Sequence, residues 1–154
     1  MKKQIYIVSV ICFICDLVSK LLVLKLDKII TVIPNFFYII LVKNTGAAFS
    51  SLEGFTYLFI FIGIFALFYI VKYINKNSLT LFEKVGYSLL IGGILGNLYD
   101  RVVYDGVIDF LSFTLFGYNF PVFNLADVFI CIGVFFIFLN LVKGDINENS
   151  SGRK

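Results

Sequence analysis

The chain has 154 residues, 60% of them hydrophobic and only 15% charged, with a mean hydropathy of +0.96. Soluble domains carry about 25% charged residues, so these figures exclude a water-soluble protein and leave one integral membrane domain. The net charge of +3 calls for no nucleic-acid partner, and the absence of His excludes Ser-His-Asp and Cys-His catalysis, HExxH zinc sites and histidine proton relays.

A membrane-spanning helix needs about 20 predominantly apolar residues. Four segments qualify: residues 5–24, 55–74, 85–104 and 122–142. The first carries Asp16 and Lys20 at i, i+4, spaced for an ion pair that holds the outer half of the helix. Cys12 and Cys15 in this segment, and Cys131 in the last, read as small buried hydrophobes. Residues 18–26 continue as VSKLLVLKL without a small-residue cleavage pattern, so the first helix is expected to remain as a signal anchor.

Residues 29–42, IITVIPNFFYIILV, are apolar but too short to span, and Pro34 interrupts them. Their Ile, Val, Phe and Tyr content predicts strands at a membrane surface. Residues 107–113, VIDFLSF, are expected to pair with them or to extend the same platform. Asn44 opens NTGAAFS, where Gly46, Ala47 and Ala48 permit close approach of backbone to a ligand or helix, and equally a plain turn. Phe36, Phe37, Tyr38 and Phe49 are candidates to cover acyl chains or to anchor at the interface.

The third segment reads VGYSLLIGGILGNLYDR and ends in Asn97, Asp100 and Arg101. Charges at membrane depth cost at least a few kcal/mol each, so they need partners. Asp100 lies sixteen residues beyond Lys84, about 24 Å along a helix axis. Asp127 lies five residues into the fourth segment, about 8 Å from its outer end. Both aspartates are thereby expected at similar depth, each with an Asn three residues earlier, Asn97 and Asn124, on the same helical face. Gly92 and Gly96 form a small-xxx-small pair for helix packing, and Gly93 extends the Asn97 face.

Lys2, Lys3, Lys72, Lys76, Lys84, Lys143, Arg153 and Lys154 fall on one side of these spans, against Lys25, Lys28 and Lys43 on the other. The positive-inside rule then places both termini in the cytoplasm and the loops 25–54 and 105–121 outside. Residues 1–143 form the expected single domain, and the polar stretch 144–154 is expected to be a disordered cytoplasmic tail.

Two carboxyl groups within a few ångströms share one proton, because both cannot ionise easily. Such a pair, Asp100 with Asp127, can activate a water and protonate a leaving nitrogen, as an aspartic protease does. It needs no His, metal or cofactor, and neither Asp can be named acid or base from sequence. The same residues are open to other readings: a proton- or ion-coupled carrier, a metal enzyme with Asp and Asn oxygens, or a scaffold.

The pieces DLVSK (16–20), NTGAAFS (44–50), GGILGNLYDR (92–101), VIDF (107–110) and FNLAD (123–127) resemble, in order, the lipoprotein signal peptidase family, also called signal peptidase II. The resemblance covers nearly the whole chain. It implies a fold of four transmembrane helices with a small β element, a β-cradle on the outer leaflet. It also implies an intramembrane aspartic endopeptidase of the bacterial cytoplasmic membrane, with its site near the outer face. The implied substrates are diacylglyceryl-modified prolipoproteins, cut just before the lipidated Cys, with membrane lipids as the other partner and a monomer as the working unit. The resemblance implies Asp100 and Asp127 as catalytic residues. It implies Asp16, Lys20, Asn44, Gly46, Asn97, Arg101 and Asn124 as substrate-binding or supporting ones, and Asp109 as a supporting loop residue. Ile94 and Val128 depart from the family pattern. Presenilin-type proteases are the nearest mechanistic rival, through Tyr99-Asp100, but they need a second G-x-G-D that Asn-Leu-Ala-Asp at 124–127 does not provide.

Overall fold

The computed structural model describes residues 2–46 and 55–151, with side chains through Lys143. The elements follow in the order α1 (Lys2–Val23), β1 (Ile30–Ile33), β2 (Phe37–Asn44), α2 (Thr56–Lys76), α3 (Leu81–Tyr104), β3 (Val107–Leu115), β4 (Tyr118–Asn119) and α4 (Leu125–Ser151). Of the readings above, Ala47, Ala48 and Phe49 lie outside the described residues, and the polar tail lies outside the described side chains.

The starts of the last two helices differ from the hydropathy boundaries by three or four residues, and capping explains both. Thr80 and Glu83 form a capping box: the Glu83 amide donates to Thr80 Oγ1 at 3.2 Å, and the Thr80 amide donates to Glu83 Oε2 at 2.9 Å. This reciprocal pair satisfies two orphan donors and begins α3 at Leu81, four residues before the apolar run. At α4, Asn124 caps instead. The Asp127 amide donates to Asn124 Oδ1 at 3.0 Å and the Asn124 amide to Asp127 Oδ2 at 3.2 Å. Residues 122–124 therefore stay extended, and Phe123 bridges Leu111 in an antiparallel pairing.

α3 lies at the centre and packs on α1, α2 and α4. Glycines set the closeness of approach. A Cβ on Gly92 would strike Cys12 and the Ser9 carbonyl of α1, and one on Gly96 would strike the Asp16 carboxylate. The small-residue stripe thus admits α1 with its charged side chain.

Burial is inside-out. Ile7, Ile11 and Ile14 of α1, Phe61, Phe65 and Phe68 of α2, and Phe135 and Phe138 of α4 are exposed, whereas Asp16, Lys20, Asn97 and Asp100 are buried. Apolar surface of this extent is what lipid covers. Lys2–Val23, Thr56–Lys76 and Leu125–Lys143 are long and apolar enough to cross a membrane. Length and composition thus bear out three of the four expected spans. α3, with 24 residues, is diluted by Asn97, Asp100 and Arg101. Cys12 is buried as expected, but Cys15 and Cys131 are exposed on the bundle perimeter, where an apolar side chain faces lipid as readily as a core.

The strand expectations hold. β1 to β4 form one antiparallel sheet in sequence order. Pro34 sits in the turn between β1 and β2, beside Asn35 with φ of 60°. β2 then pairs with β3, with Val42 opposite Asp109 and Asn44 opposite Val107. Phe37 stacks on Phe113 at 4.5 Å, and Phe113 on Phe123 at 5.7 Å, which ties the sheet to the entry of α4. The opposite end of the bundle is closed by Lys2 Nζ, which donates to the Asn75 carbonyl at 2.7 Å, and by Thr80 Oγ1, which donates to Asn140 Oδ1 at 2.7 Å.

Candidate active site

Three elements meet where α3 and α4 reach the sheet. The cap at Asn124 places Asp127 in the first turn of α4, at the helix end and not two turns inside it. Its side chain is half-buried. From α3, Asn97 Nδ2 donates to Asp127 Oδ1 at 2.7 Å. From the sheet, β3 supplies Asp109, which is 3% exposed. Asn124 Nδ2 donates to Asp109 Oδ1 at 2.6 Å and to Asn97 Oδ1 at 3.2 Å. Asn44 Nδ2, at the end of β2, donates to Asp109 Oδ2 at 3.0 Å, and the Gly46 amide donates to Asn44 Oδ1 at 3.0 Å. Three asparagines thus hold two carboxylates in one continuous network.

Both carboxylates line one cavity of about 270 Å³, together with Asn44, Gly46, Asn97 and Arg101. Val107, Pro121, Val122 and Phe123 supply its apolar wall. Arg101 Nη1 donates to the Asn97 carbonyl at 3.1 Å, and its guanidinium lies 5.1 Å from the centre of the Phe59 ring. A second cavity of about 290 Å³ opens between α2, α3 and α4, and it shares Asn97 and Arg101 with the first. Burial pushes the Asp109 carboxyl up to about 6. The Asn44 and Asn124 donors pull it down, and the charge of Asp127 adds to the rise.

Asp100 lies elsewhere. Its side chain is buried and is not part of the cavity wall. Lys20 Nζ sits 2.9 Å from Asp100 Oδ2 and 2.7 Å from Asp16 Oδ2, and it also donates to Asn97 Oδ1 at 3.3 Å. The Asp16–Lys20 pair therefore forms with the expected spacing and recruits Asp100 as a second anion. The expectation that Asp100 and Asp127 face each other across the site is thus not what the structure shows. Asn97 turns its amide toward α4, and Asp100, three residues on, turns toward α1. The carboxylate that shares the cavity with Asp127 is Asp109, and it lies on a strand and not in a loop. The signal for it was present in VIDF, where a lone charge is set among apolar residues of a strand with no polar face to hide it.

Of the expected site residues, Asn44, Gly46, Asn97, Arg101 and Asp127 line the cavity. Asn124 supports it from behind, while Asp16, Lys20 and Asp100 form the buried cluster. Among the described residues, no group of three or more Cys, Asp or Glu side chains converges as metal ligands would.

Comparisons with known proteins identify the family. The signal peptidase (SPase) II family profile matches residues 8–143. A lipoprotein signal peptidase of Staphylococcus epidermidis is 40% identical over 155 residues, covering 95% of this chain and 96% of the relative. One from Staphylococcus aureus is 38% identical over 146 residues, covering 92% and 90%. A bacterial membrane enzyme solved by the in meso method at 2.3 Å superposes with a TM-score of 0.85 at 36% identity, covering 99% of this chain and 92% of that one. A second, solved at 1.9 Å, gives 0.82 at 37% identity, covering 92% and 94%. The chain belongs to the signal peptidase II family.

Proposed function

We propose that this protein is an aspartic endopeptidase that removes the signal peptide from diacylglyceryl-modified prolipoproteins, with Asp109 and Asp127 as the reacting pair. The observation that carries this reading is that these two carboxylates share one cavity wall and one asparagine network. Asp109 takes the place that sequence reasoning gave to Asp100.

In this mechanism a water sits between the two carboxyls. Asp127 takes a proton from it as the hydroxyl adds to the scissile carbonyl. Asp109 carries the shared proton that polarises the carbonyl oxygen, and the pair then protonates the leaving nitrogen. One water is consumed: its hydroxyl stays on the new carboxyl terminus and its hydrogen on the new amine. Asn44, Asn97 and Asn124 keep both carboxyls in place, so little reorganisation is needed at the moment of reaction.

The polar face of α3 is enclosed by α1, α2 and α4. This supports α3 as a fourth span, since polar residues are tolerated where other helices bury them. The basic residues at the end remote from the sheet support cytoplasmic termini, with the sheet and the site on the outer leaflet. The apolar cavity between α2, α3 and α4 meets the site at Asn97 and Arg101, which gives a lateral approach from lipid. The lipidated Cys becomes the new amino terminus of the product. The chain acts as a monomer whose protein partners are its substrates, and residues 144–154 are a cytoplasmic tail outside the peptidase domain.

The test is turnover of a purified lipidated precursor by folded Asp109→Asn and Asp127→Asn. Each loses about 100-fold to 10,000-fold, the range that general acid–base groups contribute. Cleavage by either variant at the unmodified rate rules out the pair. Proton flux through reconstituted vesicles, abolished by both variants, is the result that would instead favour a carrier.

A further inference from the structure

The buried cluster of Asp16, Lys20 and Asp100 takes no part in the chemistry above, yet it is costly to build. All three side chains are at most 1% exposed. Their remaining contacts are specific. Asp16 Oδ1 accepts from the Ala126 amide at 2.9 Å. Asp100 Oδ2 accepts from the Ile108 amide at 2.9 Å. Ala126 immediately precedes Asp127, and Ile108 immediately precedes Asp109. Each carboxylate of the cluster thus grips the backbone directly before one carboxylate of the cavity, and Lys20 Nζ joins the two grips within 3 Å of each.

We infer that Asp16, Lys20 and Asp100 form a clamp that sets the separation of Asp109 and Asp127, so that they are positioning residues for the reaction. The inference rests on the Asp109–Asp127 reading. The reason for a clamp is topological. Asp109 rides on a strand and Asp127 on the first turn of a helix, and the chain between them passes through β4 and an extended entry. Bridging hydrogen bonds through Asn124 and Asn97 orient the two carboxyls but do not tie the backbone segments that carry them to one another. A buried ion pair gripping two backbone amides does. Charge-assisted bonds to backbone N–H groups are about twice as strong as neutral ones, and burial shields them from solvent. Gly96 belongs to this device, since only a residue without Cβ lets the Asp16 carboxylate reach across α3 to Ala126.

The clamp makes a prediction that general stability does not. What counts at each position is an acceptor for the amide, not an acid. Asp16→Ala removes the acceptor, whereas Asp16→Asn keeps one carbonyl oxygen. With kcat expressed per folded enzyme, Asp16→Ala falls by about 100-fold at a nearly constant KM for lipidated precursor, as displacement of reacting groups by about 1 Å does. Asp16→Asn recovers to within about tenfold of the natural enzyme. Asp100→Ala and Asp100→Asn repeat the pattern. A merely structural role lowers the folded fraction and leaves kcat per folded molecule alone, and that result overturns the clamp. So does equal activity of the Ala and Asn variants at either position. Where an alanine variant yields no folded protein, Lys20→Arg decides. It keeps the charge but widens the gap between the carboxylates, and it lowers kcat without raising KM; unchanged kcat overturns the clamp. Full turnover in Asp109→Asn instead strikes the reading beneath it, and the clamp falls with that reading. Loss of turnover confined to the Ala variants at positions 16 and 100 touches the clamp alone.

Discussion

Two groups of acidic residues lie side by side in this protein and differ in what surrounds their carboxylates. Asp16 and Asp100 are sealed between helices and answered by Lys20. Asp109 and Asp127 line a cavity and accept hydrogen bonds from neutral amides, with Arg101 on the same wall. The same side chain holds backbone in place where a cation and a backbone N–H consume it. It is available for chemistry where neutral donors hold it and leave room for water. A count of membrane aspartates cannot make this distinction, whereas the identity of each partner does.

The comparison can be broken most forcefully by exchanging the consequences. Asp127→Asn removes up to about 10,000-fold of turnover yet lowers stability by only about 1–3 kcal/mol, because Asn keeps an acceptor for the Asn97 donor and loses the one for the Asn124 amide. Activity assays beside thermal unfolding in detergent check both halves. Lys20→Met acts strongly on stability. It strands two buried carboxylates, and breaking a buried pair from one side costs about 3–5 kcal/mol, read as a lowered unfolding midpoint. An unchanged midpoint contradicts a buried, mutually paired cluster at these three residues.

Lipid sharpens the same contrast. A precursor lacking its diacylglyceryl group loses burial worth about 0.8 kcal/mol per CH2, and the loss appears mainly in KM. Equal KM with and without the lipid contradicts a lateral approach through the apolar cavity. The smallest effect is electrostatic. Asp109 ionises with difficulty, its pKa being pushed up to about 6 by burial. The unfolded chain releases this proton near the ordinary Asp value of about 3.9. Between these two pH values the folded state therefore binds more protons, and stability falls as pH rises, by a total on the order of 3 kcal/mol. Asp109→Asn removes that slope. In turnover, loss of the shared proton above about pH 6 gives the descending limb of kcat/KM.

Much of this was legible in the sequence. Apolar runs located the helices, three of which are long and apolar enough to cross a membrane. The strand pairs were legible because a short apolar run broken by Pro34 cannot span. The Asp16–Lys20 pair followed from helical spacing alone. The helix starts at Leu81 and Leu125 did not follow from hydropathy, since Thr80-x-x-Glu83 and Asn124-x-x-Asp127 act through hydrogen bonds that a count of apolar residues ignores. The error in pairing Asp100 with Asp127 has the same origin. Axial counting fixes depth but not azimuth, and the side of α3 to which Asp100 turns was decided by Lys20 from another helix. Asp109 was legible as a charge in a strand, but its approach to Asp127 depends on the long-range pairing of β2 with β3, which local sequence does not carry.

The most direct measurement compares Asp100→Asn with Asp109→Asn, as folded proteins, for cleavage of one lipidated precursor under single-turnover conditions. The account predicts that Asp109→Asn is inert, while Asp100→Asn, which still accepts the Ile108 amide, cuts within about tenfold of the natural rate. An inert Asp100→Asn beside an active Asp109→Asn would contradict it.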